Sequence, residues 1–157
     1  METEDVCYTR EVALEKAIEM ERKSFETYKQ AYFMVKDPLA RDLLKDLALD
    51  ELKHKYTLEK AFFEETVMLH ASDANEGPSM QLTVFLEEKP LDETAKDQDI
   101  MIFAIHDEKR AVDFYKKTAE QCGGAPMEAM FRTLYQDEEG HLARLEELYE
   151  SLYMQDM

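Results

Sequence analysis

Two segments of this 157-residue chain carry the same pair of metal-competent side chains, Glu51-Leu-Lys-His54 and Glu138-Glu-Gly-His141. On a helix, Glu-x-x-His sets carboxylate and imidazole one turn apart on one face, about 60° apart in projection, so both reach one small cluster. Glutamate ligates terminally or bridges two ions, and imidazole ligates as a neutral group. That donor set suits paired Fe or Mn better than zinc, which prefers closed, low-coordinate sites. One such motif is weak evidence in a chain with 36 acidic residues. Two of them, each on a core-facing seam, are stronger.

The seams come from four helical patterns. The first runs from Thr9 to about Val35, with Leu14, Ile18, Glu21, Phe25, Tyr28, Tyr32 and Val35 alternating by four and three. Asp37-Pro38 supplies an N-cap and first-turn residue for the second, which is expected to reach about Leu69 along Ala40, Leu44, Leu47, Glu51, His54, Leu58 and Ala61. The third spans about Asp97 to Gln121 with Met101, Ile105, Glu108, Val112, Tyr115, Ala119 and Cys122. The fourth continues to about Tyr153 with Met127, Phe131, Leu134, Glu138, His141, Leu145 and Leu148. Seams of this spacing face the interior of a bundle. Each is apolar apart from its tyrosines, except at one level, where Glu21, Glu51, His54, Glu108, Glu138 and His141 point at one buried layer. An unpaired buried carboxylate costs several kcal/mol or neutralises by taking a proton. No Lys or Arg stands on these seams, whereas two divalent cations balance four carboxylates to zero.

The fold class expected is all-α: a four-helix bundle in one domain over 1-157, with hairpin 1 at about 9-70, a crossover linker at about 71-96 and hairpin 2 at about 97-153. The linker holds one apolar island, Met80 to Leu86, readable as an extended piece or a single helical turn, and is long enough for the third helix to start at either end of the bundle. The hairpins are copies. Shifted by 87 positions, Ala17–Glu59 lies on the second hairpin without a gap, with eleven identities in 43 positions, including Glu21/Glu108, Tyr28/Tyr115, Asp50/Asp137, Glu51/Glu138 and His54/His141. Chance would give roughly three.

Other residues read less sharply. Tyr28 and Tyr115, seven residues after Glu21 and Glu108, could bond a ligand carboxylate or bridge radical chemistry, though each alone reads first as an amphipathic core tyrosine. Asp50 and Asp137 either hold the N–H of a ligand histidine or are solvated helix-face charges. His70 and His106 lie off the seams and read as surface residues. The balance of 19 basic against 36 acidic residues, net −17, argues against nucleic acid and anionic membrane as partners. No apolar run is long enough for a bilayer span, and the opening METEDVCYTREV has no signal-like segment. With Cys7 and Cys122 lacking CxxC spacing, a cytoplasmic protein with two reduced thiols is expected.

The segments Ile18-Glu-Met-Glu21-Arg-Lys-Ser-Phe-Glu-Thr-Tyr28, Leu49-Asp-Glu51-Leu-Lys-His54, Ile105-His-Asp-Glu108-Lys-Arg-Ala-Val-Asp-Phe-Tyr115 and Gln136-Asp-Glu138-Glu-Gly-His141 resemble the rubrerythrin-type members of the ferritin-like superfamily. The resemblance implies a ferritin-like bundle whose metal ligands are Glu21, Glu51, His54, Glu108, Glu138 and His141, with Glu51 and Glu138 as bridges. It implies two Fe ions, which Mn or Zn can replace, and a non-haem oxidoreductase that reduces peroxide or dioxygen as a peroxidase or ferroxidase. The alternative is an iron-sequestering bundle without turnover. It also implies a homodimer. Three departures qualify the likeness. The four-cysteine rubredoxin domain of rubrerythrins proper is missing, so a separate electron-donor protein is expected. Their additional glutamate one turn before the third-helix ligand is Ile105 here. Leu52 stands where a bacterioferritin has its haem-ligating Met, so no haem is expected, and without a fifth helix neither is a storage cage.

Overall fold

A computed structural model describes residues 9–64, 79–124 and 127–155. Four helices carry the fold: α1 (Arg10–Met34), α2 (Pro38–Lys60), α3 (Asp97–Gln121) and α4 (Glu128–Tyr153). Among the described residues there is no strand, and no helix is long and apolar enough to cross a membrane. Local chemistry sets the helix ends. Thr9 accepts from the Val12 N–H to start α1. Asp37 accepts from the Ala40 N–H at 3.0 Å and Pro38 opens the first turn of α2. Gly124, at φ +84°, takes the left-handed turn after α3 that a side chain would resist.

α1 packs along α2 and α3 along α4, and the hairpins meet mainly through α1 and α3. Small buried residues recur seven apart on both helices, Ala17, Ser24 and Ala31 on α1 and Ala104, Ala111 and Thr118 on α3. The seam positions of α2 from Ala40 to Ala61 are all buried, as are those of α3. The apolar interior falls into two parts. One gathers around Leu44, Leu47, Met101, Ile105 and Leu145, the other around Leu14, Leu58, Phe131 and Leu134. The ionisable level lies between them.

The α-helix of α2 ends at Lys60, short of the expected Leu69, and a 3-10 turn, Ala61–Phe63, follows. The cause is distant in sequence: Arg10 Nη2 donates to the Ala61 carbonyl at 2.5 Å and to that of Glu64, which satisfies carbonyls at the helix end. Residues 65–78, with His70, lie outside the described residues. The apolar island becomes a 3-10 turn, Leu82–Val84, entered through Gln81 at φ 56°. Cys122, buried at the end of α3, is disulfide-bonded rather than a free thiol, its partner lying outside the described residues. Absence of CxxC spacing did not anticipate this, because pairing depends on proximity in the fold.

α3 begins beside the α1–α2 turn, where the Asp97 carboxylate accepts from the Lys36 and Asp37 N–H groups at 3.0 and 2.8 Å. α2 ends at the opposite pole, so the connection joins the two ends of the bundle. Its described part is strapped to hairpin 2. The buried Glu146 carboxylate accepts from Ser79 Oγ, Met80 N and Leu82 N at 2.9–3.1 Å. His106 Nε2 meets the Leu86 carbonyl at 2.6 Å, and Glu88 pairs bidentately with Arg110. His106 is thus half-buried against the linker rather than a free surface residue. Glu146→Ala should cost about 1–3 kcal/mol in urea unfolding, since two backbone N–H groups lose a charged acceptor. It should also speed proteolysis within residues 79–96 while leaving Mn(II) stoichiometry unchanged.

Candidate metal centre

All six ligand candidates meet at the mid-level of the bundle. Glu21, Glu51, Glu108 and Glu138 are fully buried, His141 is 1% exposed and His54 8%. Their donor atoms form two groups, Glu21, Glu51, His54 and Glu138 in one and Glu51, Glu108, Glu138 and His141 in the other, each within 4.8 Å mutually. Glu51 and Glu138 belong to both. Each helix contributes at this level because its seam places an ionisable residue there in the same register.

The surroundings repeat across the pseudo-twofold relation, and the contacts cross between hairpins. Tyr115 OH donates to Glu21 Oε2 at 2.8 Å, and Tyr28 OH donates to Glu108 Oε1. Both rings are fully buried. His54 Nε2 lies 3.0 Å from Asp137 Oδ2, and His141 Nε2 lies 3.3 Å from Asp50 Oδ2. The imidazoles stand nearly parallel, 15° apart. In both histidines Nδ1 is therefore the nitrogen turned to the carboxylates: His54 Nδ1 is 2.7 Å from Glu21 Oε1, and His141 Nδ1 is 3.0 Å from Glu138 Oε1. These crossings put α1 and α3 antiparallel, and likewise α2 and α4. The tyrosines, each of which alone reads as plain core, thus hold carboxylates, and Asp50 and Asp137 face histidines of the opposite hairpin. The available clue was their recurrence at the same place in both repeats.

Electrostatics show the strain of this layer. Burial first, then the charges of Glu138, Glu21 and Glu108, hold the Glu51 carboxyl well above the ordinary range. Burial and Glu138 do the same to Glu108. Glu21 is raised by burial and Glu138 against the pull of His54 and Tyr115. Desolvation would push the His54 imidazole down, but Asp137 and Glu21 outweigh it and lift it to about 10. His141 is shifted upward too, as Glu138 and Asp50 overcome its burial. The directions agree: with protein groups alone, this many negative charges stay buried only by collecting protons. Among the described residues six buried atoms nevertheless make no well-aligned hydrogen bond, both carboxylate oxygens of Glu51 and of Glu138, Glu108 Oε2 and His141 Nδ1, although the last faces Glu138 Oε1 at 3.0 Å. Orphaned acceptors in a dry layer are costly unless a cation meets them. The donor set fits a pair of divalent ions.

Fold and cluster together define an all-α bundle with a buried carboxylate–imidazole centre able to hold metal ions. The chain belongs to the rubrerythrin family, whose model matches residues 13–149 and whose centre is di-iron. No curated protein and no solved structure matches the chain.

The pKa directions give a pH dependence. His54 binds its proton more tightly folded than unfolded, so its contribution to stability is full below about 6.5 and is lost as pH rises toward 10. The raised carboxyls act with the same sign, their contribution declining above 4.5. In chelator, the Tm should fall from pH 6.5 to 9.5. Saturating Mn(II) should flatten or reverse that slope, because the cation replaces the protons.

Proposed function

We propose that the chain is a non-haem di-iron oxidoreductase that reduces peroxide, with ferroxidase chemistry the nearest relative of that activity. The observation that supports it most strongly is the sharing of Glu51 and Glu138, none of whose four carboxylate oxygens makes a well-aligned hydrogen bond, between two ligand groups. On this reading Glu21 and His54 would hold one ion and Glu108 and His141 the other, with Glu51 and Glu138 available to both. Iron bound there supplies one electron per ion, which matches the two-electron reduction of peroxide to water.

The chain's own residues prepare that site. Asp137 and Asp50 hold the Nε2–H of His54 and His141, so each Nδ1 presents its lone pair to the cluster. Tyr115 and Tyr28 each occupy one oxygen of Glu21 and Glu108 and so fix the carboxylate rotamers. Burial, followed by the neighbouring glutamate charges, pushes both phenols well up, so they remain donors throughout the neutral range. The apolar layers on either side exclude water. Ile105, fully buried where rubrerythrins proper carry their additional glutamate, offers no carboxylate for ligand exchange, so the ligand set stays fixed. The two cysteines of this 157-residue sequence cannot build a four-cysteine iron site, so on this reading electrons reach the bundle from a donor outside it.

Anaerobic Fe(II) titration should saturate at about two ions per chain. Glu51→Ala or Glu138→Ala should lose both, whereas Glu108→Ala should retain about one, because a bridge serves two ions and a terminal ligand one. Under stopped flow, the loaded protein should be oxidised by peroxide faster than free Fe(II). Uptake of two ions without peroxide consumption in the presence of any reductant would instead assign sequestration. Asp137→Asn should weaken metal affinity about 10–100-fold without unfolding the chain, as measured by competition with a chelator.

A further inference from the structure

The four glutamates of the centre have no solvent exposure, so a substrate must pass through a wall of the bundle. Most of the walls are closed. Apolar clusters cover the layer toward both poles. Within each hairpin the two helices pack along their length. Between α2 and α4 stand the paired side chains His54–Asp137 and His141–Asp50, at 3.0 and 3.3 Å. The α1–α3 side differs. It carries a pocket of about 350 Å³ lined by Met20, Lys23, Ser24, Asp107, Arg110 and Phe114.

This pocket lies at the level of the ligand layer. Met20 and Asp107 immediately precede Glu21 and Glu108, and Ser24 stands one turn after Glu21, about 60° away in projection. Ser24 is 2% exposed and forms the inner end, whereas Lys23 and Arg110 are exposed at the rim. The tyrosine hydroxyls that hold Glu108 and Glu21 cross between the same two helices. Asp107, Arg110 and Phe114 are the repeat mates of Met20, Lys23 and Thr27, so the pocket straddles the pseudo-twofold relation. Its chemistry is mixed. Met20 and Phe114 supply apolar walls, and Asp107, hydrogen-bonded to Thr27 and 3.6 Å from Arg110, supplies an acceptor. Arg110 also pairs with Glu88 at 3.0 Å. The charges of Lys23, Arg110, Asp107 and Glu88 thus cancel, in a chain of net −17 whose acidic surface draws cations.

We infer that this pocket is the entry port of the oxidant, and that it admits a small uncharged hydroperoxide, hydrogen peroxide itself, rather than Fe(II). A mouth without net charge concentrates no cation. Apolar walls with a few polar groups hold and orient a small neutral molecule, and peroxide offers O–H donors to Asp107. The inference rests on the reading of the centre as a peroxide-reducing di-iron site.

Stopped flow on Fe(II)-loaded protein tests it with hydrogen peroxide and with nitric oxide, an uncharged probe whose absorption change reports arrival at Fe(II) without peroxide chemistry. Met20→Trp, which fills the pocket from its rim, should slow both reactions about tenfold, and Phe114→Ala should speed oxidation by tert-butyl hydroperoxide by a similar factor. Leu52→Trp, on the exposed face of α2, should change none of these rates. Helicity, iron stoichiometry and the rate of Fe(II) uptake should stay those of the wild type in every variant. A wild type inert to peroxide, with nitric oxide still slowed by Met20→Trp, would keep the port and remove the reaction assigned to it. Rates indifferent to Met20→Trp and Phe114→Ala, or Fe(II) uptake slowed in step with them, would overturn the port and leave that reaction standing. A wild type that takes up no Fe(II) would overturn both.

Discussion

Four carboxylates with no lysine or arginine on the seams to neutralise them, set in a layer with apolar packing above and below, are the constraint on which this molecule turns. A bundle of this size can bury one such layer only if something of high positive charge compensates it. The raised imidazoles and carboxyls show how far the protein's own groups must go to do so with protons. Two metal ions would relieve the whole layer at once, meeting the oxygens of Glu51 and Glu138, the Glu108 carboxylate and Nδ1 of His141. The stability of the middle of the bundle and the capacity for chemistry are therefore one property.

Duplication makes the arrangement economical, but it does not leave the halves independent. Each hairpin brings a Glu, a Glu-x-x-His, an Asp and a Tyr, yet the Tyr and Asp of one hairpin serve the Glu and His of the other. The packing of α1 against α3 brings Tyr28 to Glu108 and Tyr115 to Glu21. The symmetry is broken outside the core. Glu146 anchors the linker while its repeat mate Glu59 stays exposed.

The ionisable level was legible in the sequence because six polar residues stand where a 3–4 seam demands apolar ones, in the same register in both repeats. The four helices and the start of α2 at Asp37-Pro38 followed from the same periodicity and from cap chemistry. What was illegible depends on contacts between residues far apart in sequence. Ala61-Phe62-Phe63 continues an apolar pattern, so only Arg10, some fifty residues upstream, shows why α2 stops. The path of the linker is set by backbone N–H groups meeting Glu146, and such donors carry no sequence signal. The Tyr28 hydroxyl and the Asp50 carboxylate find their partners across the hairpin interface, so a reading along one helix gives only their azimuth. The bond at Cys122 is of the same kind.

Anomalous diffraction from crystals grown with Mn(II), recorded on both sides of the manganese edge, tests the central claim most directly. The account predicts two peaks inside the bundle, one bounded by Glu21 and His54, the other by Glu108 and His141, with Glu51 and Glu138 lying between them. An interior without anomalous density, with Mn(II) confined to surface carboxylates and the six side chains still in place, would contradict it.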